Sequence, residues 1–68
     1  MKVIYDPETD TLDMILREGK IVESDEEKPG MILDYDSKGR IISIEILEAS
    51  KIMHSPMGIS FEIANPTS

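Results

Sequence analysis

Apolar and polar residues alternate along several short segments of the chain, which is the pattern of half-buried β-strands. In residues 11–17 this alternation places both leucines and Met14 on one face. A β-prone run at residues 2–5 precedes this segment. Asp6 and Pro7 lie between the two runs and suit a type I turn, because proline already has the φ angle that the turn requires. These segments predict a first β-hairpin.

A second hairpin is predicted for residues 31–47, where two apolar-rich runs flank a polar turn. Two registers are open. Asp at the first and Gly at the fourth position of residues 36–39 favour a type I turn with a bulged glycine, which pairs Tyr35 with Ile41 and leaves both faces partly apolar. A two-residue loop at positions 38 and 39 would shift the register by one and collect the apolar side chains on one face. We expect the bulged register, and therefore cover on both sides of the sheet.

The remaining segments predict less regular elements. Residues 21 and 22 begin a third run that passes into the acidic segment 23–28, and a strand continuing there is expected at a sheet edge, since charged side chains discourage further pairing. Residues 48–53 lack alternation and contain good helix formers, which indicates a short helical segment. Residues 58–64 alternate again and predict a last strand.

Together these elements predict a mainly β fold with a minor α+β character. We expect one domain over residues 1–68, a small antiparallel β-meander of about five strands with a short helical segment near residues 48–53. At this length a single core is marginal, and the chain has no cysteine that could add a disulfide. A sheet with apolar residues on both faces and one short helix needs further cover. The sequence therefore predicts a homodimer or a higher homo-oligomer.

The charge and the apolar runs of the chain limit which partners and which location we expect. The net charge of −7 arises from 14 acidic and 7 basic residues and would repel a phosphate backbone, so no nucleic-acid partner is expected. No apolar run approaches the ~18 residues that cross a bilayer, so no membrane partner is expected. Residues 1–5 are followed by Asp6 and Pro7 rather than by the apolar region of a signal peptide. The prediction is a cytoplasmic protein.

Three carboxylates interrupt the strand patterns, namely Asp13, Asp34 and Glu45. Paired acids in a sheet can exchange protons or bind a hard metal ion. The expected register points Asp34 and Glu45 to opposite faces, however, which would disperse the group. We therefore expect these carboxylates to be solvated, or paired with Arg17, Arg40 or a lysine.

Other polar residues have simpler interpretations. Asp6, Asp10 and Asp36 lie at turns, where an aspartate accepts hydrogen bonds from nearby backbone N–H groups. His54 is the single histidine, has no second metal ligand nearby and is adjacent to Ser55, whose side chain is not expected to converge with it. We expect a surface histidine. The sequence predicts no catalytic, metal-binding or cofactor-binding residue, and no cofactor.

The five methionines raise the question of an adaptable binding surface. Met14 and Met31 fall in strand patterns, which favours a role as core filler. Met53 and Met57 flank a Ser-Pro turn and are the better candidates for interface contacts. The glycines are isolated beside turn-forming residues and predict no phosphate-binding loop.

A series of short motifs runs through most of the chain: Tyr5-Asp6-Pro7-Glu8, Asp10-Thr11-Leu12, Glu23-Ser24, Pro29-Gly30, Leu33-Asp34-Tyr35-Asp36, Gly39-Arg40 and Ile44-Glu45-Ile46-Leu47-Glu48-Ala49-Ser50. The combination resembles the domain of unknown function 2283 family of short prokaryotic proteins, over about residues 1–51. Residues 52–68 would then be a C-terminal extension. The family has no assigned activity, so the resemblance implies a small β-rich cytoplasmic protein and no catalytic residue.

Two hypotheses about function follow. The first is a non-enzymatic, homo-oligomeric protein-interaction module, such as an adaptor or the antitoxin-like partner of another protein. The alternative is an enzyme or a small-ligand or metal binder whose site forms across a dimer interface, using Asp34, Tyr35 or Glu45. The absence of a convergent catalytic set in the sequence favours the first.

Overall fold

The computed structural model describes residues 1–56 and 58–65, and its main element is a five-stranded antiparallel sheet. The elements are β1 (Lys2–Asp6), β2 (Thr11–Ile15), β3 (Glu23–Lys28), β4 (Met31–Tyr35), β5 (Ile41–Ile46) and α1 (Ala49–Ile52). The mainly β class, the first hairpin and the short helix near residues 48–53 are confirmed. Within the described ranges no helix combines the length and the hydropathy needed to cross a membrane.

The strand order across the sheet is β1-β2-β5-β4-β3. Strands β3, β4 and β5 are neighbours in chain order, as in a meander, but β5 lies between β4 and β2. The chain therefore crosses from β2 to the far edge of the sheet before it returns, and the expectation of a fully sequential meander is wrong at this connection. The two edges of the sheet are β1 and β3.

The acidic segment forms β3 and brings the number of strands to five, whereas residues 58–64 form none. All six residues of β3 are exposed, and the strand lies at an edge as expected. The predicted last strand is wrong, because residues 58–65 contain no strand and leave Ile59, Phe61 and Ile63 exposed. Alternation makes a segment competent to form a strand, but it does not ensure that the segment pairs with the sheet.

The turn of the second hairpin has the expected bulged geometry. The Asp36 N–H donates to the Arg40 carbonyl at 2.9 Å, and the Gly39 N–H donates to the Asp36 carbonyl at 3.0 Å. Gly39 has a φ of 76°, which a glycine adopts without strain. Tyr35 is opposite Ile41. The predicted turn is confirmed.

A second irregularity follows immediately and was not expected. The register shifts between Asp34 and Tyr35, so that Asp34 pairs with Ser43 and Ile42 is the extra residue on β5. From there the pairing is that of the alternative register, with Leu33 opposite Ile44. The prediction that the bulged register continues through the hairpin is therefore wrong beyond Tyr35.

The extra residue, Ile42, is buried beneath the connection from β2 to β3. Its side chain is 3% exposed, and its carbonyl accepts a hydrogen bond of 2.7 Å from the Leu16 N–H. A Cβ at Gly19 would lie 3.1 Å from the Cδ1 of Ile42, a tight contact, and Gly19 has a φ of 151°, so glycine is favoured at this close approach. Burial of this apolar side chain favours the bulge.

The two faces of the sheet differ in chemistry. On the helix face, Leu12, Ile46 and Ala49 form the core cluster, with partly buried side chains of Tyr5, Met14, Ile44 and Met53 packed around it. On the opposite face, which we call the carboxylate face, isoleucines lie among acidic residues. Ile4 pairs with Asp13 and Ile32 with Glu45, and paired residues share a face. Both faces are thus partly apolar, as predicted, although the register differs from the expected one.

Asp10 attaches the helix to the first hairpin. Its carboxylate accepts a 2.6 Å hydrogen bond from the Ser50 hydroxyl and a 2.7 Å bond from the Tyr5 hydroxyl, and its carbonyl accepts the Ala49 N–H at 2.8 Å. The N-cap residue Glu48 makes no side-chain cap of its own. A distant aspartate therefore satisfies the first N–H groups of α1.

Candidate functional site

The carboxylate face brings together the three acidic residues that interrupt the strand patterns. Asp13 on β2 is directly opposite Glu45 on β5. Asp34 on β4 is opposite Ser43, which places it diagonally beside Glu45 on the same face. The expectation that the three carboxylates are dispersed is therefore wrong. The register shift after Tyr35 is the physical reason, since a shift of one residue moves every following side chain to the other face.

Asp34 is the most deeply buried member of this carboxylate cluster, with 1% of its surface exposed. The Ser24 hydroxyl donates to its Oδ1 and the Ser43 hydroxyl donates to its Oδ2, both at 2.6 Å. Burial alone would raise the pKa of Asp34, but hydrogen bonds from Glu45 and the two serines outweigh burial and lower it. Asp34 is thus the member whose ionised form is favoured most, since donors on both neighbouring strands hold it.

The pKa values of Glu45 and Asp13 shift in the opposite direction and are raised. The hydrogen bond with Asp34, burial, and the negative charges of Asp34 and Asp13 raise the pKa of Glu45 to about 7. Burial, followed by the charge of Asp34, raises the pKa of Asp13, and the Oδ1 of Asp13 is buried without a hydrogen-bond partner in the described structure. Glu45 therefore retains its proton below neutral pH and begins to lose it near pH 7, and the shared proton with Asp34 is the largest cause of this raised pKa.

No basic side chain compensates this cluster within the described residues. The ion pairs there join Arg40 to Asp36 at 2.8 Å and Lys51 to Glu48 at 3.0 Å. The expected pairing of the three carboxylates with an arginine or a lysine is therefore wrong. In residues 1–56 and 58–65 no group of three or more potential ligands is arranged to hold a metal ion. The arrangement favours a proton on Glu45. The hydroxyls of Ser24 and Ser43 already donate hydrogen bonds to Asp34.

The alternative hypothesis named Asp34, Tyr35 or Glu45 as residues of a site across a dimer interface, and within one chain Tyr35 lies apart from the other two. Tyr35 lies on the helix face, and its hydroxyl donates to Glu27 on β3 at 3.4 Å. Burial and the nearby charges of Glu27 and Asp25 raise the pKa of Tyr35. Asp34 and Tyr35 are consecutive in β4 and therefore point to opposite sides of the sheet.

The other polar residues mostly occupy the predicted roles. Asp6 accepts the Glu8 N–H at 2.9 Å, and Asp36 accepts two backbone N–H groups of its own turn, so both are turn formers. His54 is exposed, as expected. Asp10 does more than predicted, since its contacts with the helix span 40 positions. No local pattern in the sequence signals such a distant contact.

The methionines follow their predicted division in part. Met14 packs against the core cluster and Met31 is partly buried in β4, which agrees with core filling. Met53 also packs against the core cluster and lines the groove described next. Met57 lies outside the described residues, and its predicted interface role stays a prediction.

An apolar groove of about 660 Å³ opens on the helix face, where β1 and β2 meet the C-terminal segment. The residues that line it include Met1, Val3, Met14, Met53, Ile59 and Phe61. Phe61 is 80% exposed and Ile59 is 55% exposed. The alternation of residues 58–64 correctly marked these side chains as an apolar stripe, but it could not indicate that the stripe would border a groove instead of joining the sheet.

Comparisons with known proteins identify a family for most of the chain. A family model described as "protein of unknown function (DUF2283)" matches residues 2–50, which contain all five strands. No curated protein and no solved structure matches the chain. The chain belongs to the DUF2283 family of proteins of unknown function.

Proposed function

We propose that this protein is a non-enzymatic interaction module that acts as a homo-oligomer in the cytoplasm, as an adaptor or an antitoxin-like partner of another protein. The observation that carries the proposal is the apolar groove. It exposes Val3, Ile59 and Phe61 together on a chain that otherwise carries many charges.

The groove is more than the scattered apolar exposure of an ordinary surface. Single exposed apolar side chains are common, but here several of them line one groove, which favours a contact site. Burying one large apolar side chain contributes about 1.5–3 kcal/mol, so covering two or three of them would contribute several kcal/mol, a large share of the stability of a small domain. Association therefore supplies the burial that the small core lacks.

The carboxylate cluster gives less support to an enzyme. Both oxygens of Asp34 already accept hydrogen bonds, and its side chain is almost fully buried, so a substrate would first have to displace Ser24 and Ser43. One observation favours the alternative of a small-ligand binder, namely the unpartnered Oδ1 of Asp13. A thermal-shift screen with divalent cations tests it. Stabilisation of the wild type that Asp13→Asn abolishes would favour ligand binding over the proposed module.

The proposal is tested by analytical ultracentrifugation over the micromolar range. We expect the wild type to sediment as a dimer or larger species. Substitution Phe61→Ser should raise the dissociation constant about tenfold or more, because it removes the most exposed aromatic contact. The neighbouring exposed residue provides the control, and Glu62→Gln should leave association unchanged. A wild type that stays monomeric throughout would overturn the proposal.

The adaptor role has its own test. Purification of the tagged protein from its native lysate should recover a second, stoichiometric protein, and Phe61→Ser should release it. Recovery of the tagged protein alone would contradict the adaptor role while leaving self-association standing.

A further inference from the structure

The two edges of the sheet differ sharply in their capacity to pair with another strand. β3 presents four carboxylates and one lysine, all exposed, and such an edge repels a second strand of its own kind. β1 has one lysine and one aspartate at its ends and three uncharged residues between them. Val3 is 37% exposed and Ile4 is 41% exposed. β1 is therefore the edge that lacks the usual protection.

The pairing pattern identifies which backbone groups of β1 are free. The Leu16 N–H, just after β2, donates to the Ile42 carbonyl of β5. Backbone groups alternate in direction along a strand, so Asp13 directs its N–H and C=O toward β1, where it is opposite Ile4. Ile4 therefore points its backbone groups toward β2, and those of Val3 and Tyr5 point away from the sheet.

We propose that β1 pairs antiparallel with β1 of a second copy of this chain, with Ile4 opposite the partner's Ile4. This inference rests on the proposed homo-oligomeric function and specifies the contact that forms it. Val3 then faces the partner's Tyr5, and each such pair exchanges both backbone hydrogen bonds. The two sheets join into one continuous sheet across a two-fold axis.

The charges of β1 are self-complementary in this register. Lys2 faces the partner's Asp6, and the two-fold axis repeats the pair at the other end of the contact. Sliding the register by two residues in one direction places Lys2 opposite the partner's Ile4 and loses both charge pairs. Pairing through β3 instead would oppose carboxylates to carboxylates. Charge complementarity therefore favours a second copy as the occupant of this edge.

The apolar groove extends the same contact. Val3 belongs to both β1 and the groove, so two-fold pairing at β1 brings the two grooves near one another on the helix face. A stable interface buries about 800 Å² per partner, which is more than a five-residue strand can supply alone. The exposed groove residues, Met1, Ile59 and Phe61, provide the additional area.

Disulfide trapping tests the register directly, because the chain has no cysteine of its own. Ile4 pairs without mutual backbone hydrogen bonds in the proposed dimer, and such pairs bring the Cα atoms to about 4.5 Å, within the range of a disulfide. Under mild oxidation at micromolar concentration, Ile4→Cys should form a covalent dimer. The matched control is Asp25→Cys on the exposed β3 edge, which should remain mostly unlinked.

Charge reversal provides a second, independent measurement. Lys2→Glu should raise the dissociation constant about three- to tenfold, because two exposed charge pairs are replaced by repulsions. Adding Asp6→Asn should recover part of this loss by removing the opposing charge. Asparagine is used because its side-chain oxygen still accepts the Glu8 N–H that Asp6 binds in the turn.

The outcomes separate this inference from the proposed function. A wild type that dimerises while Ile4→Cys fails to crosslink and Lys2→Glu has no effect overturns pairing through β1 and leaves the interaction module intact. A wild type that is monomeric overturns both. Equal crosslinking of Ile4→Cys and Asp25→Cys also contradicts the inference, since it indicates random collision.

Discussion

The clearest prediction concerns the proton held by Glu45, and the perturbation is Glu45→Gln. The pKa of Glu45 rises from an ordinary value of 4.5 to about 7 in the folded chain. A folded-state pKa above the unfolded value means that the folded state binds the proton more tightly. The resulting stability is fully present below the unfolded pKa and is lost as the pH rises through about 7.

The size of the effect follows from the pKa difference. At 1.36 kcal/mol per pKa unit, the full rise corresponds to at most about 3 kcal/mol, and we expect about 1–2 kcal/mol because Glu45 is partly exposed and screened by solvent. Asp13, whose pKa is also raised, acts in the same direction. Asp34 has a lowered pKa and loses its contribution only in stronger acid, so it does not oppose the trend near neutral pH.

The assay is urea unfolding followed by far-ultraviolet circular dichroism, at one protein concentration and between about pH 5 and about pH 8.5. The free energy of unfolding of the wild type should fall across this range. Glu45→Gln keeps the shape and the donor to Asp34 but cannot ionise, so its stability should change little with pH and exceed that of the wild type at the alkaline end.

Glu62→Gln serves as the control for the loss of one negative charge, since Glu62 is exposed in the C-terminal segment. A wild type whose stability is constant or rises over this range would refute the reasoning. A Glu45→Gln protein that parallels the wild type at every pH would also refute it, because the pH dependence would then come from another group.

Two further predictions concern single contacts. Asp34→Ala should lower the free energy of unfolding by about 2–4 kcal/mol, because it leaves the hydroxyls of Ser24 and Ser43 without their acceptor, whereas an effect below the error of urea unfolding would contradict the buried network. Gly39→Ala should cost about 1 kcal/mol through its φ of 76° alone, since a Cβ there meets nothing within 4 Å, and Gly58→Ala, where φ is not positive, should be nearly neutral in the same measurement.

Local patterns were sufficient for most of the fold. Alternation located β2, while a β-prone run located β1 and apolar-rich runs located β4 and β5, and each hairpin has recognisable turn residues. The residue types at positions 36–39 predicted the bulged turn correctly. The helix was predicted from the loss of alternation together with good helix formers. These features depend on residues close in sequence, which is why they could be predicted from the sequence alone.

The carboxylate cluster could not be predicted in the same way. Its assembly depends on the extra residue at Ile42, and that bulge depends on cover from a connection more than 20 positions earlier, including the close approach of Gly19. A pattern of alternation records which residues can share a face, but it does not record where the register slips. The error at one position reversed the face assigned to Asp34 relative to Glu45, and with it the interpretation of the whole cluster.

The same register explains why a carboxylate is buried in so small a protein. The carboxylate of Asp34 accepts hydrogen bonds from the hydroxyls of Ser24 on β3 and Ser43 on β5. Both bonds form only when β3, β4 and β5 are aligned in this register. A slip of one residue would carry Asp34 onto the helix face, among the apolar core, and leave its charge uncompensated there. The cost of that alternative is several kcal/mol, whereas a purely apolar sheet would accept either register with little difference. Burying Asp34 thus selects the register that places Leu33 and Ile44 together on the helix face.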